Sequence, residues 1–162
     1  FWGPIRPLTG LINRLTSSQA DVIGLTDNLM YEPHLQSAFL LFRSRAVSCP
    51  AFWGFWEKIM CWSEKRSIVK NYEVGLSALL KKNGMTLESL YSINSNGNIL
   101  HAEWKSLIEE QDFPFLKVSL LRDNPNEVNI SDWKDVVRRG NRRLAEQIDQ
   151  HLKNCKYNLQ TP

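Results

Sequence analysis

Apolar and polar positions follow two rhythms along this chain, one of amphipathic helices and one of short buried strands. The clearest helical rhythm lies in residues 67–84, SIVKNYEVGLSALLKKNG. At about 100° per residue, Ile68, Leu79, Tyr72, Leu76, Val69 and Leu80 share one contiguous apolar arc. Glu73 lands on the margin of that arc, beside Val69 and Leu80, while Lys70 and Lys81 point away. Gly84 supplies the helix stop. A carboxylate at that margin either reaches out to solvent or lines a cleft where partial burial raises its pKa. Taken alone, it reads as an ordinary boundary residue.

Around this helix the pattern predicts an alternation of elements. Residues 1–10 hold two prolines and two glycines and cannot stay regular for long. Residues 11–18 read as a short helix with Leu11, Ile12 and Leu15 inward. Val22, Ile23 and Leu25 form a buried strand that delivers Thr26, Asp27 and Asn28 at its C-terminal end, the edge where open α/β sheets bind ligands. After Pro33, residues 34–44 read as a central strand, apolar on both faces from Ala38 to Phe42. His34 and Gln36 share one face of it by the two-residue period.

Residues 51–62, AFWGFWEKIMCW, place Phe52, Phe55, Trp56, Ile59 and Trp62 at helical spacing with Trp53 beside them. Two readings fit this aromatic load, a core helix or an interfacial membrane helix. The core reading is preferred, because the segment is short and lacks a strongly basic opposite face. Residues 85–98 are mixed and end in a turn at Asn96-Gly97. Residues 101–111 read as a helix with Trp104, Leu107 and Ile108 inward. The run FLKVSLL is strand-like, with a short helix as the alternative, and stops at Arg122-Asp123-Asn124-Pro125. Ser131 is the expected N-cap of a final helix that keeps Trp133, Val137, Leu144, Ile148 and Leu152 near one side and is interrupted by Gly140. Arg138, Arg139, Arg142 and Arg143 form a basic stripe on it, read either as a solvated face or as a site for anions.

Composition is that of a globular chain, with a net charge of +3 that is too small to imply nucleic acid. The three cysteines, Cys49, Cys61 and Cys155, lack metal-type spacing, and their odd number points to a reducing, cytoplasmic setting. No apolar run approaches the length of a membrane span. The chain opens FWGP without an initiator Met, which reads as a piece of something longer. There is no phosphate-binding Gly-rich loop, no paired-Cys motif and no nucleophile elbow. His34, His101 and His151 are scattered, so no metal site is expected among these residues.

The spacing acid-x-x-Leu-x-x-x-Leu-x-x-x-Gly, formed by Glu73, Leu76, Leu80 and Gly84, resembles the second half of a GT-A glycosyltransferase. In many inverting members a Glu-Asp pair opens the helix under the acceptor, and one carboxylate takes the proton of the attacking hydroxyl. A sugar hydroxyl is a poor nucleophile until that proton has somewhere to go. Val74 replaces the second acid here, so the base role falls to Glu73 alone or to a different residue.

A broader resemblance covers nearly the whole chain. VIGLTDN, HLQSAFLLFRSRAVSCPAFWGFW, KNYEVGLSALLKKNG, PFLKVSLLRDNP and QIDQHL are similar, in that order, to the rhamnan synthesis protein F family. The resemblance implies an α/β fold, a partial GT-A-like half with few central strands and several flanking helices. It spans residues 1–154 as one domain, with residues 155–162 as a tail. It implies a glycosyltransferase of cell-wall or lipopolysaccharide synthesis, taking sugar from a nucleotide-sugar donor, dTDP-rhamnose being the implied one. The acceptor would be a lipid-linked glycan, met peripherally at the inner face of the cell membrane.

Glu73 is then the expected base, and Asp27, His34 and Gln36 are expected to line the sugar cleft. Arg122 and Asp123 would order a closing turn. An Asn-Asp-Ser type acidic motif normally precedes the turn matched by residues 1–4. Donor binding and any divalent cation, magnesium or manganese, would therefore be held upstream of Phe1. The competing expectations are a non-catalytic glycan-binding or assembly module and a peripheral membrane adaptor that uses the arginine stripe.

Overall fold

A computed structural model of the chain describes residues 1–93 and 97–158. In chain order the elements are α1 (Thr9–Ser17), β1 (Val22–Asn28), β2 (His34–Leu35), β3 (Leu40–Phe42), α2 (Ser44–Val47) and α3 (Pro50–Trp56). There follow α4 (Lys65–Ile68), a π-helical segment (Val69–Val74), α5 (Gly75–Lys82), β4 (Leu87–Tyr91), α6 (Ile99–Ala102) and α7 (Trp104–Glu110). The last helices are α8 (Val118–Arg122), α9 (Trp133–Gly140) and α10 (Arg142–Asn158). The expected α/β class holds, with a small mixed sheet and helices before β1, between β3 and β4, and after β4 along the chain. By its internal contacts the chain divides into two compact units. One runs from Arg14 to Gly97, and the other joins Phe1–Asn13 to the chain from Asn98 on.

The Arg14–Gly97 unit is built on β1, whose first residues, Val22, Ile23 and Leu25, are buried as the apolar run requires. β1 lies between β2 and β3 in a four-stranded sheet, and β4 also pairs with it. The β2 and β3 pairings are antiparallel, with Asp27 opposite Leu35 and Val22 opposite Phe42. β4 runs parallel to β1, with Val22 opposite Leu87 and Thr26 opposite Tyr91. Apolar residues of β1, β2, α2, α3 and α5 (Val22, Leu35, Ala46, Phe52, Leu76 and Leu80) make the core.

Asp21, just before β1, organises the strand's entry. Its Oδ2 accepts from the Thr86 backbone at 2.8 Å, the Thr86 hydroxyl at 2.9 Å and the Arg45 guanidinium at 2.7 Å. The Thr86 amide leads the causes that hold this carboxyl below its ordinary value, and the Arg45 charge adds to them.

Three expectations for this unit are corrected. Residues 34–44 are not one central strand. They break into β2 and β3, on different sides of β1 in the sheet order, with residues 36–39 between them. Sequence alternation cannot register such a crossing, because both pieces carry apolar residues. Second, residues 85–98 contain β4, a parallel strand hidden by Glu88 and Ser89 in its middle. Third, the aromatic run is helical only through Trp56, and Phe52 alone among its large side chains is buried. Trp53, Trp56, Ile59, Met60 and Trp62 are exposed. The turn at Asn96-Gly97 lies outside the described residues.

The focal helix forms, with one change. Leu76 and Leu80 are buried, and Gly84 ends the helix at φ +74°, a conformation that glycine adopts without steric cost. The π-helical turn over Val69–Val74 inserts an extra residue into the winding. Ile68, upstream of it, is rotated off the apolar stripe and is 40% exposed.

In the other unit Ile5, Trp104, Ile108, Leu116, Leu120, Val136, Val137, Ala145 and Ile148 are packed together. The inward positions expected for residues 101–111 are observed. FLKVSLL takes the helical alternative as α8, preceded by a bridge between Trp2 and Leu116. Ser131 does not cap α9. Asp132 occupies the cap position, and the Ser131 hydroxyl bonds to Asn129 instead. The final helix is two helices broken at Asn141, whose Oδ1 accepts the Leu144 amide at 3.0 Å. α10 runs on through Asn158, past the point where the pattern had placed a tail.

Gly140, the last residue of α9, packs closely against Ile5. A Cβ on Gly140 would lie 2.3 Å from the Ile5 carbonyl oxygen. The two helical glycines with contrasting surroundings give a direct check. Gly140→Ala is expected to destabilise by about 1–3 kcal/mol through that clash. Gly54→Ala, where nothing lies within 4 Å of the new methyl, is expected to stabilise by about 0.5–1 kcal/mol. Urea unfolding midpoints of the two variants should move in opposite directions.

Candidate active site

The Glu73 side chain emerges from the π-helical turn and is turned towards residues 34–37. Its Oε1 accepts the Ser37 backbone N–H at 3.0 Å and also the Ser37 hydroxyl. Its Oε2 faces His34 Nε2 at 3.7 Å, an ion contact rather than a hydrogen bond. The His34 side chain is fully buried, and its Nδ1 lies 2.7 Å from the Glu32 carbonyl, so Nδ1–H is the donor there. Nε2 makes no hydrogen bond and is aimed at the carboxylate. The imidazole is thereby oriented by the backbone and faces one charge.

The electrostatics follow from that geometry. Burial works against a charged His34, but the Glu73 carboxylate, the Glu32 carbonyl and Asp27 outweigh it and raise its pKa above the ordinary 6.5. Burial likewise works against a charged Glu73. The facing His34 and both Ser37 donors overcome it and bring the pKa down to about 2. The partial burial that the sequence suggested would raise this pKa is real, and the hydrogen bonds reverse its effect.

Glu73, Ser37, Ser77 and Tyr72 are the polar points on a largely apolar cavity of about 240 Å³, walled by Leu35, Leu40, Phe55, Trp56 and Leu76 among others. A smaller cavity of about 110 Å³ is lined by Asp27, His34, Lys81 and Ser89. His34 lines the smaller cavity beside Asp27, and its Nε2 faces Glu73 at the margin of the larger one. Lys81 Nζ is anchored on the Pro33 carbonyl at 3.0 Å. Ser77 accepts the Leu35 amide at 3.1 Å and fastens α5 to β2.

Of the residues expected at the site, Glu73, His34 and Asp27 are gathered here. Gln36 is buried, and its side-chain oxygen accepts the Thr26 hydroxyl at 2.8 Å. It serves the strand join rather than lining either cavity. Arg122 and Asp123 belong to the other unit, where they bond each other through two contacts of 2.7 Å. The arginine stripe is largely neutralised there. Arg138 pairs with Asp135, Arg139 with Glu109 and Arg142 with Glu146. Ser37 was missed because strand alternation turns it away from the His34 face, and only the end of β2 frees it. Ser77 had a legible signal, four residues beyond Glu73 on the same helix.

Among the described residues, no three His, Cys, Asp or Glu side chains converge to hold a metal ion. No helix among them is long and apolar enough to cross a membrane. The three cysteines are unpaired.

The fold and site define a mixed α/β chain with a histidine-facing carboxylate at an apolar cavity. The family model described as Rhamnan synthesis protein F matches residues 1–159. The chain belongs to the rhamnan synthesis protein F family, whose name ties it to rhamnan polysaccharide synthesis. It is also similar to an uncharacterized protein, y4gN, of Sinorhizobium fredii (strain NBRC 101917 / NGR234). The two are 34% identical over 95 residues, which cover 56% of this chain and 25% of that protein. The match therefore spans a quarter of that relative's length. No solved structure matches the chain.

The His34–Glu73 pair has a definite pH signature. The raised His34 stabilises the fold fully below its ordinary 6.5, and this is lost as pH rises through its folded value. The depressed Glu73 stabilises above its ordinary 4.5, and this is lost as pH falls towards about 2. The stability difference between wild type and Glu73→Gln is therefore expected to peak between pH 4.5 and 6.5. Urea unfolding across pH measures it. An NMR titration of His34 should show its pKa falling in Glu73→Gln.

Proposed function

We propose that this chain is the acceptor side of a glycosyltransferase that moves a sugar from a nucleotide donor to a lipid-linked glycan. Rhamnose from dTDP-rhamnose is the donor group that fits the family's name. The finer fold likeness, to one half of a GT-A enzyme, belongs to the same proposal. One observation carries the catalytic reading: Glu73 is held ionised beside a cavity, on a helical turn wound to present it. π-helical turns of this kind are frequent at functional sites.

In the proposed reaction the acceptor hydroxyl approaches Glu73 and displaces one of the Ser37 bonds. Its oxygen forms the new bond to the anomeric carbon as the bond from that carbon to the diphosphate breaks. The hydroxyl proton passes to the carboxylate, and the leaving electron pair stays on the nucleotide diphosphate. His34 keeps Glu73 ionised until the acceptor arrives and orients Oε2. A divalent cation, where the complete protein uses one, would balance diphosphate charge. Among the described residues no cluster of His, Cys, Asp or Glu forms a site for it.

A second reading, a non-catalytic glycan-binding or assembly module, is favoured by the low pKa of Glu73. A carboxylate at about 2 is a weak base for a hydroxyl. The two readings part at Glu73→Gln in the intact protein. Under the transferase reading, dTDP release from dTDP-rhamnose in the presence of acceptor is expected to fall by about 10²–10⁴-fold. Folding and acceptor binding should be retained. Undiminished turnover in Glu73→Gln would end the base assignment.

A further inference from the structure

The aromatic segment expected in the core is outside it, and it is ordered there. Every residue from 56 to 66 is exposed, and Trp53 and Met60 are exposed by 57% and 63%. Yet the segment is held in place by the Tyr72 phenol. That one hydroxyl donates to the Met60 carbonyl at 2.6 Å, accepts the Met60 amide at 2.6 Å and accepts the Trp62 indole N–H at 3.0 Å. The Trp53 indole N–H is likewise spent on the Val47 carbonyl, at 2.8 Å. Each indole satisfies its polar edge inside the protein and leaves apolar ring to the outside. Beneath them Phe42, Phe52, Phe55 and Trp56 interlock edge to face. An exposed apolar patch on so fixed a frame marks an interaction surface.

The charges around it point to the class of partner. Lys58, Lys65, Arg66 and Lys70 are exposed and form no ion pair among the described residues, unlike most of the arginine stripe. Glu57 and Glu64 are the only carboxylates in residues 53–72. The exposed Tyr31 joins the same face, with its ring under Arg66 at 5.7 Å and Lys70 at 5.2 Å. Bulky exposed apolar side chains interspersed along the chain with cations that form no ion pair among the described residues suit an interface whose surface is anionic and whose interior is hydrocarbon.

We propose that this face docks the protein on an anionic lipid bilayer, with Trp53, Ile59, Met60 and Trp62 entering the interface and Lys58, Lys65, Arg66 and Lys70 meeting headgroup phosphates. The association is peripheral. Trp56, Ile59 and Ile68 also line the cavity beside Glu73, so docking brings that cavity against the lipid surface. Docking and transfer are separable, because Glu73→Gln leaves the docking face intact.

Co-sedimentation of the intact protein with phosphatidylglycerol-containing vesicles tests it, against pure phosphatidylcholine vesicles and at rising salt. Wild type is expected to bind the anionic vesicles, less so as salt rises. The pair Lys65→Glu with Arg66→Glu should weaken partition by about tenfold or more. Trp53→Ser with Met60→Ser should weaken it comparably while circular dichroism stays unchanged. Brominated acyl chains should quench tryptophan fluorescence in wild type. Several results would overturn the proposal: no vesicle binding, binding indifferent to both variant pairs, or binding lost only when Arg138, Arg139, Arg142 and Arg143 are neutralised. A dimer that depends on Trp53 and Met60, without vesicle binding, would make the face a protein contact instead.

Discussion

The attachment of Glu73 to residues 34–37 is the constraint on which the geometry around it depends. A half-buried carboxylate is tolerated only when donors meet it. Here the donors come from a segment that has left the sheet. Had residues 34–44 stayed one strand, the Ser37 amide would have been drawn towards a ladder bond. The break between β2 and β3 frees that N–H for Glu73. The same break brings buried His34 under the other carboxylate oxygen. The crossing of the chain past β1, the wide turn of the helix and the oriented imidazole are thus mutually dependent parts of one arrangement.

The two units handle charge differently. From Asn98 on, cations are mostly matched by nearby carboxylates, as in Lys105 with Asp132 and Lys134 with Asp149. Such exposed pairs contribute little to stability individually, but they leave few free cations there for an anionic partner. In the Arg14–Gly97 unit Arg45 pairs with Asp21 and fixes the entry of β1, while Lys58, Lys65, Arg66 and Lys70 form no ion pair among the described residues. A stripe of arginines conspicuous in the sequence is therefore the less available one. The thinner set of lysines beside the tryptophans is the freer.

Much of the architecture is legible from periodicity alone. The buried β1, the Leu76–Leu80 stripe, the Gly84 stop and the inward face of α7 follow from residue spacing and one permissive glycine. What escaped has physical reasons. β4 carries a glutamate and a serine in mid-strand, because a short parallel strand needs little apolar signal once β1 supplies the ladder. The crossing after Leu35 leaves the hydrophobic pattern unchanged and so cannot be seen in it. The exposed tryptophans occupy helical positions but lie on a segment whose helix ends at Trp56. For the site, Glu73 and His34 were both marked by their positions, whereas Ser37 became a partner only through the break in the strand. Gln36 has the right polarity, but the Thr26 hydroxyl had already claimed it.

The wide turn over Val69–Val74 makes this part of the chain sensitive to length in a way that its exposed surface conceals. A π-helical turn accommodates one residue more than an α-helix would over the same rise. Deleting a single residue there lets the helix relax to regular winding. Leu76 and Leu80 would keep their places in the core, while everything upstream would rotate by about 100°. A gap at Val74 would turn Glu73 away from Ser37 and His34, and Tyr72 from the segment that it pins. A substitution at Val69 or Asn71 alters one side chain, whereas a one-codon gap at Val74 would dismantle the site and the aromatic face together and leave the core of α5 packed.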